Sequence, residues 1–182
     1  MIVEFLKSIF KRINGEVATS TLVKRGMIVG KDFVRQQGCY IDPSHCFLIE
    51  IGNNVTLSIR VTLMAHDAST KIILGYTKIG SIKIGNNVFI GANSTVLPNV
   101  RIGDNVVVGA NSVITRDVPS NSVVAGNPGK VISSIADFEE KNKERMKNAS
   151  VFSKEYRYSA SLSDDKIIEM KKATVDSTAF ID

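Results

Sequence analysis

The sequence predicts an all-β solenoid built from short parallel strands, and three observations carry that reading. Ile84, Ile90, Val96, Ile102, Val108 and Ile114 form an unbroken aliphatic series spaced six apart. Four residues after each of them stands a small or β-branched side chain: Val88, Ser94, Val100, Val106, Ser112 and Val118. Between these positions Gly and Asn recur, residue types that turn a chain through conformations which crowd a larger side chain. A period of six fits neither the 3.6 of an amphipathic helix nor simple alternation along one strand. It marks a repeat in which one unit cannot bury its own apolar face and stacked neighbours supply the cover.

Three six-residue units make one coil, so stacking puts Ile84 under Ile102, Ile90 under Val108 and Val96 under Ile114. An upstream array follows the same rule through Ile51, Leu57 and Leu63 and then loses step. From Leu63 to Ile84 is twenty-one residues where six would continue the pattern, so about fifteen, from Asp67 to Ser81, leave the solenoid as a protruding loop. Long loops on rigid scaffolds are often functional. Before Ile51 the pattern is degenerate: Val29, Ile41 and Phe47 keep a spacing of six or twelve, but Phe47 to Ile51 is only four.

The flanks read as helical. In residues 1 to 14 Phe5, Leu6, Ile9, Phe10 and Ile13 share one side of a short amphipathic helix, with Lys7, Lys11 and Arg12 elsewhere. A basic amphipathic segment can lie on a membrane surface, but an open solenoid end also needs a cap, and capping is the preferred reading. After Ile132 the repeat stops. Ile135 to Asn148, dense in Glu and Lys, reads as a solvated helix, and Ser163 ahead of Asp164 and Asp165 reads as the N-cap of another. The expected organisation is a capping segment over 1–24, a β-helix over 25–132 with its loop at 67–81, and a helical extension over 133–182.

Composition bounds the function classes. The chain has 182 residues, 43% hydrophobic and 23% charged, ordinary values for one globular domain. Its net charge of +5 is scattered rather than interleaved with aromatics, which argues against a nucleic-acid interface and leaves anionic small molecules as the better partners. Cys39 and Cys46 show neither metal-ligand spacing nor a secreted disulfide framework. No signal peptide and no long apolar run is evident, so a cytoplasmic soluble protein is the default expectation.

The chain holds two histidines, His45 and His66. His66 ends the last upstream strand and opens the loop; it is either a polar residue at a strand edge or a general base that takes a hydroxyl proton near neutral pH. His45, in the irregular stretch Asp-Pro-Ser-His-Cys-Phe, reads as structural filler or as a substrate contact. Asp67 adjoins His66, but neighbours on an extended strand point to opposite faces, so Asp67 is not assigned to orient the ring.

The hexads, His66 ahead of an excursion, and the closing run from Ile114 to Ile132 with its Ala-Gly-Asn-Pro-Gly-Lys end resemble the left-handed β-helix (hexapeptide-repeat) acyltransferases. Within them the chain looks like the sugar and polysaccharide O-acetyltransferases, the group that includes galactoside and maltose acetyltransferases, over about residues 41 to 132. The resemblance implies a left-handed coil, against the usual crossover preference. It also implies a homotrimer with sites between protomers, acetyl-CoA as co-substrate, no metal, and His66 as the base of a direct transfer. Carried over by position, Phe89 flanks the pantetheine arm, Ala92 and Ala110 offer backbone groups to it, Thr115 and Arg116 line the adenosine end, and Lys130 meets the phosphates. Ser133 departs from the pattern where some relatives carry a second basic residue. On the acceptor side the match weakens, and the stretch from Asp42 to Cys46 offers Ser44 and His45.

Other readings share the solenoid. A zinc carbonic anhydrase type needs three ligands with one open position, often all His, and two histidines per chain cannot supply three to each groove of a symmetric trimer. An antibiotic O-acetyltransferase of the chloramphenicol or streptogramin kind and an amino-sugar N-acetyltransferase differ only in acceptor. A non-enzymatic scaffold is disfavoured by the joint retention of His66 and Lys130.

Overall fold

The computed structural model describes residues 16–157 and 161–182, so the helix expected over residues 1 to 14 lies outside the described residues. The chain divides into two units, Met1–Ile135 and Ala136–Asp182.

In the first unit the chain visits three sheets in rotation, one short strand at a time. The opening round is β1 (Ile28–Val29), β2 (Val34–Arg35) and β3 (Tyr40–Ile41), and the next is β4 (Ile49–Ile51), β5 (Val55–Leu57) and β6 (Thr62–Leu63). An excursion then carries β7 (His66–Asp67) and β8 (Lys78–Ile79). The rotation resumes with β9 (Ile82–Ile84), β10 (Val88–Ile90) and β11 (Thr95–Val96), then β12 (Val100–Ile102), β13 (Val106–Val108) and β14 (Val113–Ile114). It closes with β15 (Ser122–Ala125) and β16 (Lys130–Ser134). The first sheet runs β1-β4-β9-β12, the second β2-β5-β10-β13-β15-β16 and the third β3-β6-β11-β14. Within these three sheets every pairing is parallel except β15 with β16, which is antiparallel.

Register follows the six-residue count. Ile84 pairs with Ile102, Ile90 with Val108 and Val96 with Ile114. All six members of that series are buried, and so are the six residues four positions after them. The inner face of each three-residue strand is therefore apolar at both ends, with one outward residue between, as in Val88-Phe89-Ile90. Each fully buried aliphatic side chain contributes about 1.5–3 kcal/mol relative to exposure. The buried exceptions are Ser94 and Ser112, whose hydroxyls both donate to the Gly109 carbonyl, at 2.9 and 2.7 Å, and so satisfy a tight turn where Val would leave it open.

The turn between the first and second sheets explains the Asn-rich positions. Asn54, Asn87, Asn105 and Asn121 all have φ between 53 and 60°, the left-handed region that Asn tolerates better than most residues. The first three side-chain amides each donate to the next coil: Asn54 to Asn87 at 2.9 Å, Asn87 to Asn105 at 3.0 Å and Asn105 to Asn121 at 2.9 Å. Glycine is required beside this ladder for a different reason. A Cβ on Gly52 would lie 2.6 Å from the Gly85 carbonyl oxygen, and one on Gly85 would lie 2.6 Å from Asp104 Oδ1.

At the start of the unit, helix α1 (Thr19–Lys24) buries Leu22 completely against the opening coil. Phe47 does not continue the inward series. Cys46–Leu48 forms a 3-10 turn that leaves Phe47 exposed, and Ile49, fully buried, takes the inward place in β4. The extra turn residues are why the spacing fails there.

The excursion is a small structure in its own right. β7 and β8 pair antiparallel, His66 opposite Ile79 and Asp67 opposite Lys78. Between them lie a 3-10 turn, Ala68–Thr70, and helix α2 (Lys71–Leu74), which ends on Gly75 at a φ of 76°. Asp67 accepts from the Ser69 amide at 2.8 Å and pairs with Lys78 at 2.7 Å, and the Lys78 ammonium holds its carboxyl far below the usual carboxylate range. Ile72, Ile73, Leu74, Tyr76 and Ile79 are exposed.

In the second unit helix α3 (Ile135–Lys147) buries no residue. β17 (Val151–Phe152) and β18 (Phe180–Ile181) form a parallel pair. Helix α4 (Asp164–Ala173) is capped by Ser163, with Asp164 and Asp165 in its first turn and Lys171 and Lys172 in its last, the charge order its dipole favours. Among the described residues no helix is long and apolar enough to cross a membrane.

Asn105→Val removes two ladder hydrogen bonds and puts a β-branched side chain at positive φ. The expected loss is about 2 kcal/mol, read by urea or thermal denaturation, with Asn105→Gly losing less because glycine accepts the φ.

Candidate functional site

Asp42 follows directly after β3 and is fully buried, the only acidic side chain so placed among the described residues. Coil stacking decides what it meets. Ile41 is in register with Leu63, and the Asp42 amide donates to the Leu63 carbonyl at 2.9 Å. Asp42 thus lies one coil from the step at which the chain turns out of the third sheet, where His66 begins the excursion. His66 Nδ1 lies 2.5 Å from Asp42 Oδ2. The other carboxylate oxygen accepts from the amides of Ser44, at 3.0 Å, and His45, at 3.3 Å, an Asx turn that fixes the carboxylate.

Burial pushes the Asp42 carboxyl up, but the His66 hydrogen bond, the Ser44 amide, the His66 charge and the His45 amide together outweigh it and hold the carboxyl below its ordinary value. An ionised carboxylate can only accept, so it selects the His66 tautomer with hydrogen on Nδ1 and leaves the Nε2 lone pair free. The His66 side chain is 29% exposed. Asp67 has no part in this: it is engaged by Lys78 and Ser69.

His45 belongs to the same cluster. Its Nδ1 lies 3.6 Å from Asp42 Oδ2, and its ring is 5.1 Å from that of His66 at 45°. Ser44 is exposed beside it. The structure therefore gathers His66, His45 and Ser44 around a carboxylate that the sequence reading did not assign. The signal that could have found Asp42 is the coil count: once Ile41 is set under Leu63, residue 42 falls at the corner from which His66 emerges.

The remaining candidates fall on two edges of the coil. Phe89 points outward from the middle of the second sheet, and Ala92 and Ala110 stack at the turn into the third, where the Asn111 amide donates to the Ala92 carbonyl at 2.8 Å. Lys130 is exposed and opens β16 opposite Ala125, so it ends the same edge. Thr115 and Arg116, both exposed, follow β14 and sit on the His66 edge in a later coil. Within one chain the edge bearing Ala92, Ala110 and Lys130 is separated from His66 by the width of the third sheet. Ser133, which stands where a second basic residue occurs in some relatives, donates its hydroxyl to the Ser134 carbonyl at 3.1 Å.

A hollow of about 740 Å³ lies over the first sheet, lined in part by Glu50, Lys83, Arg101 and Asp117. Two of its carboxylates are already engaged: Glu50 pairs with Lys83 at 3.0 Å, and Asp117 accepts from the Arg101 backbone amide at 2.8 Å. Neither histidine lines it.

Known acetyltransferases resemble the chain over part of its length. Residues 81–116 match the family model of the bacterial transferase hexapeptide (six repeats). Protein CapG of Staphylococcus aureus is 52% identical over 102 residues, covering 54% of this chain and 59% of CapG. The putative acetyltransferase YvoF of Bacillus subtilis (strain 168) is 36% identical over 95 residues, covering 52% and 53%. Among solved structures, a maltose O-acetyltransferase from Clostridium difficile 630 is 39% identical with a TM-score of 0.53, covering 60% of this chain and 59% of that one. A hexapeptide-repeat acetyltransferase from Vibrio cholerae O1 biovar eltor, VCA0836, solved with acetyl coenzyme A, is 26% identical with a TM-score of 0.55, covering 60% and 61%. The chain spans between half and two thirds of the length of these relatives.

Proposed function

We propose that the protein is an acetyl-CoA-dependent O-acetyltransferase that acetylates a hydroxyl of a sugar or polysaccharide precursor, with His66 as general base. The observation that carries this reading is the buried Asp42 carboxylate 2.5 Å from His66 Nδ1, because it fixes the tautomer a base requires. The likeness to a maltose O-acetyltransferase supports a saccharide acceptor, and the likeness to a protein solved with acetyl coenzyme A supports the donor. The same likenesses support a left-handed sense for the three-sheet coil, and use of acetyl-CoA fits a cytoplasmic location.

His66 Nε2 takes the acceptor hydroxyl proton as the oxygen attacks the thioester carbonyl. The carbon–oxygen bond forms, the carbon–sulfur bond breaks, and the proton passes from the imidazolium to the departing thiolate. The buried carboxylate steadies the transient imidazolium, and no acyl-enzyme is needed. The carbonyl oxygen that becomes negative needs an amide donor, and backbone N–H groups of a coil edge can supply it.

A homotrimer completes the site in this reading. His66 occupies one edge of the chain while Phe89, Ala92, Ala110 and Lys130 follow another, so donor and base face each other only when two chains lie side by side. Thr115 and Arg116 share the His66 edge and contact the adenosine end from that wall. Lys130 meets the coenzyme phosphates as a point charge. Ser44 and His45, beside the base, contact the acceptor.

The test is a panel of saccharide acceptors with acetyl-CoA, read as release of free thiol, with chloramphenicol included. His66→Ala is expected to lower kcat on the order of a hundredfold or more at little change in coenzyme affinity, and Asp42→Asn by at least about tenfold. Wild-type turnover in both variants removes the pair from the mechanism. Lys130→Ala is expected to raise the KM for acetyl-CoA severalfold with kcat held, and an unchanged KM sends the phosphates elsewhere.

A further inference from the structure

His45 leaves something unexplained at this corner. Its Nδ1 is buried and has no hydrogen-bond partner, although buried polar nitrogens are almost always satisfied. Asp42 Oδ2 lies 3.6 Å from it, too far for a hydrogen bond, and is the same oxygen that His66 Nδ1 approaches to 2.5 Å. Two imidazoles and one carboxylate thus converge, with one ligand atom of each lying within 4.8 Å of the others.

That donor set is specific in kind. Two neutral imidazoles and a carboxylate suit a borderline divalent transition-metal ion, not a hard cation such as magnesium, which prefers oxygen and water. In a tetrahedral zinc site with bonds of about 2.0–2.1 Å, neighbouring ligand atoms stand about 3.3 Å apart. The His45–Asp42 separation is already close to that value. The His66–Asp42 separation reaches it once the intervening proton is gone and the ring withdraws by less than an ångström, and rotation of the two imidazoles toward the ion closes the rest of the 4.8 Å spread. His45 and His66 are both partly exposed, so an ion can reach the corner and keep a water in the fourth position.

We propose that Asp42, His45 and His66 form an inhibitory site for a divalent ion of the zinc class. The ion displaces the Nδ1 proton of His66 to solvent and bonds to that nitrogen and to Asp42 Oδ2, with His45 completing the set. The proton remaining on a neutral imidazole then sits on Nε2, the atom that must be bare to act as a base. Occupancy therefore holds His66 in the wrong tautomer, and the metal opposes the transfer that it assists in other enzymes. The inhibition rests on the reading of His66 as base; the metal site does not.

The full chain, stripped with a chelator, is titrated with Co²⁺ and followed by visible absorption. One cobalt per chain with the intense bands of a four-coordinate ion is expected. Affinity should fall at least about tenfold in both His45→Ala and His45→Gln, since loss of even a supporting group costs about that much at a metal site. No such bands, or equal affinity in both variants, overturns the site. Separately, Zn²⁺ is added to an acetylation assay read by mass of the acetylated acceptor, because zinc binds the thiol that a release assay measures. Turnover should fall over the range in which cobalt binding saturates, and the His45 variants should lose that sensitivity relative to their own zinc-free rates. Cobalt binding with undiminished turnover overturns the inhibitory role, and a wild-type chain with no acetylation of any acceptor overturns the enzymatic reading while the cobalt spectra still decide the metal site.

Discussion

The spacing between parallel strands, about 4.8 Å, is the constraint on which this structure depends. Each coil must return to the same three sheets with its inward residues directly over those of the coil before, because a one-residue slip would turn the apolar set outward. Ile84 over Ile51, Ile90 over Leu57 and Val96 over Leu63 show that this register survives the whole excursion. The turns answer to the same constraint. Glycine at positions 52 and 85 and asparagine in the left-handed region are what let carbonyls, amides and side chains of successive coils approach so closely.

The same spacing builds the candidate site. Residues 42 and 66 are far apart along the chain, yet one coil of stacking sets the carboxylate against the imidazole. An ion pair drawn from two flexible loops would have to offset the entropy of ordering both. Here the third sheet has already ordered the backbone at Asp42 and up to Ala65, and the Ser44 and His45 amides hold the carboxylate from its other side. Burial without those amides and the imidazole would favour the neutral acid.

Much of the first unit was legible from the six-residue count. The inward columns, the pairing of Ile84 with Ile102, and the excursion after Leu63 all follow from arithmetic on aliphatic positions. What the count missed lies where extra residues hide it. The 3-10 turn over Cys46–Leu48 moves the inward place from Phe47 to Ile49, and the same irregular stretch conceals Asp42 as the partner of His66. Periodicity reads positions that repeat, whereas a site is made of the residues that interrupt the repeat. His66 was visible because histidine is scarce and stands at a break; Asp42 is one of many acidic residues, and only its burial distinguishes it. The pairing of β17 with β18, between segments with no period at all, left no pattern to read.

The excursion leaves the third sheet at Ala65 and rejoins the chain at Gly80, where the Gly80 amide meets the Ala65 carbonyl at 2.9 Å. Its two ends are thus pinned together by the body of the protein, and closure costs grow only slowly with the length of what is looped out. Residues between them can lengthen, shorten or be exchanged with little penalty to the coils on either side. A lineage can in this way refashion the rim beside His66 while inheriting the stacked body unchanged, which makes the segment a natural place for diversification by splicing in new sequence.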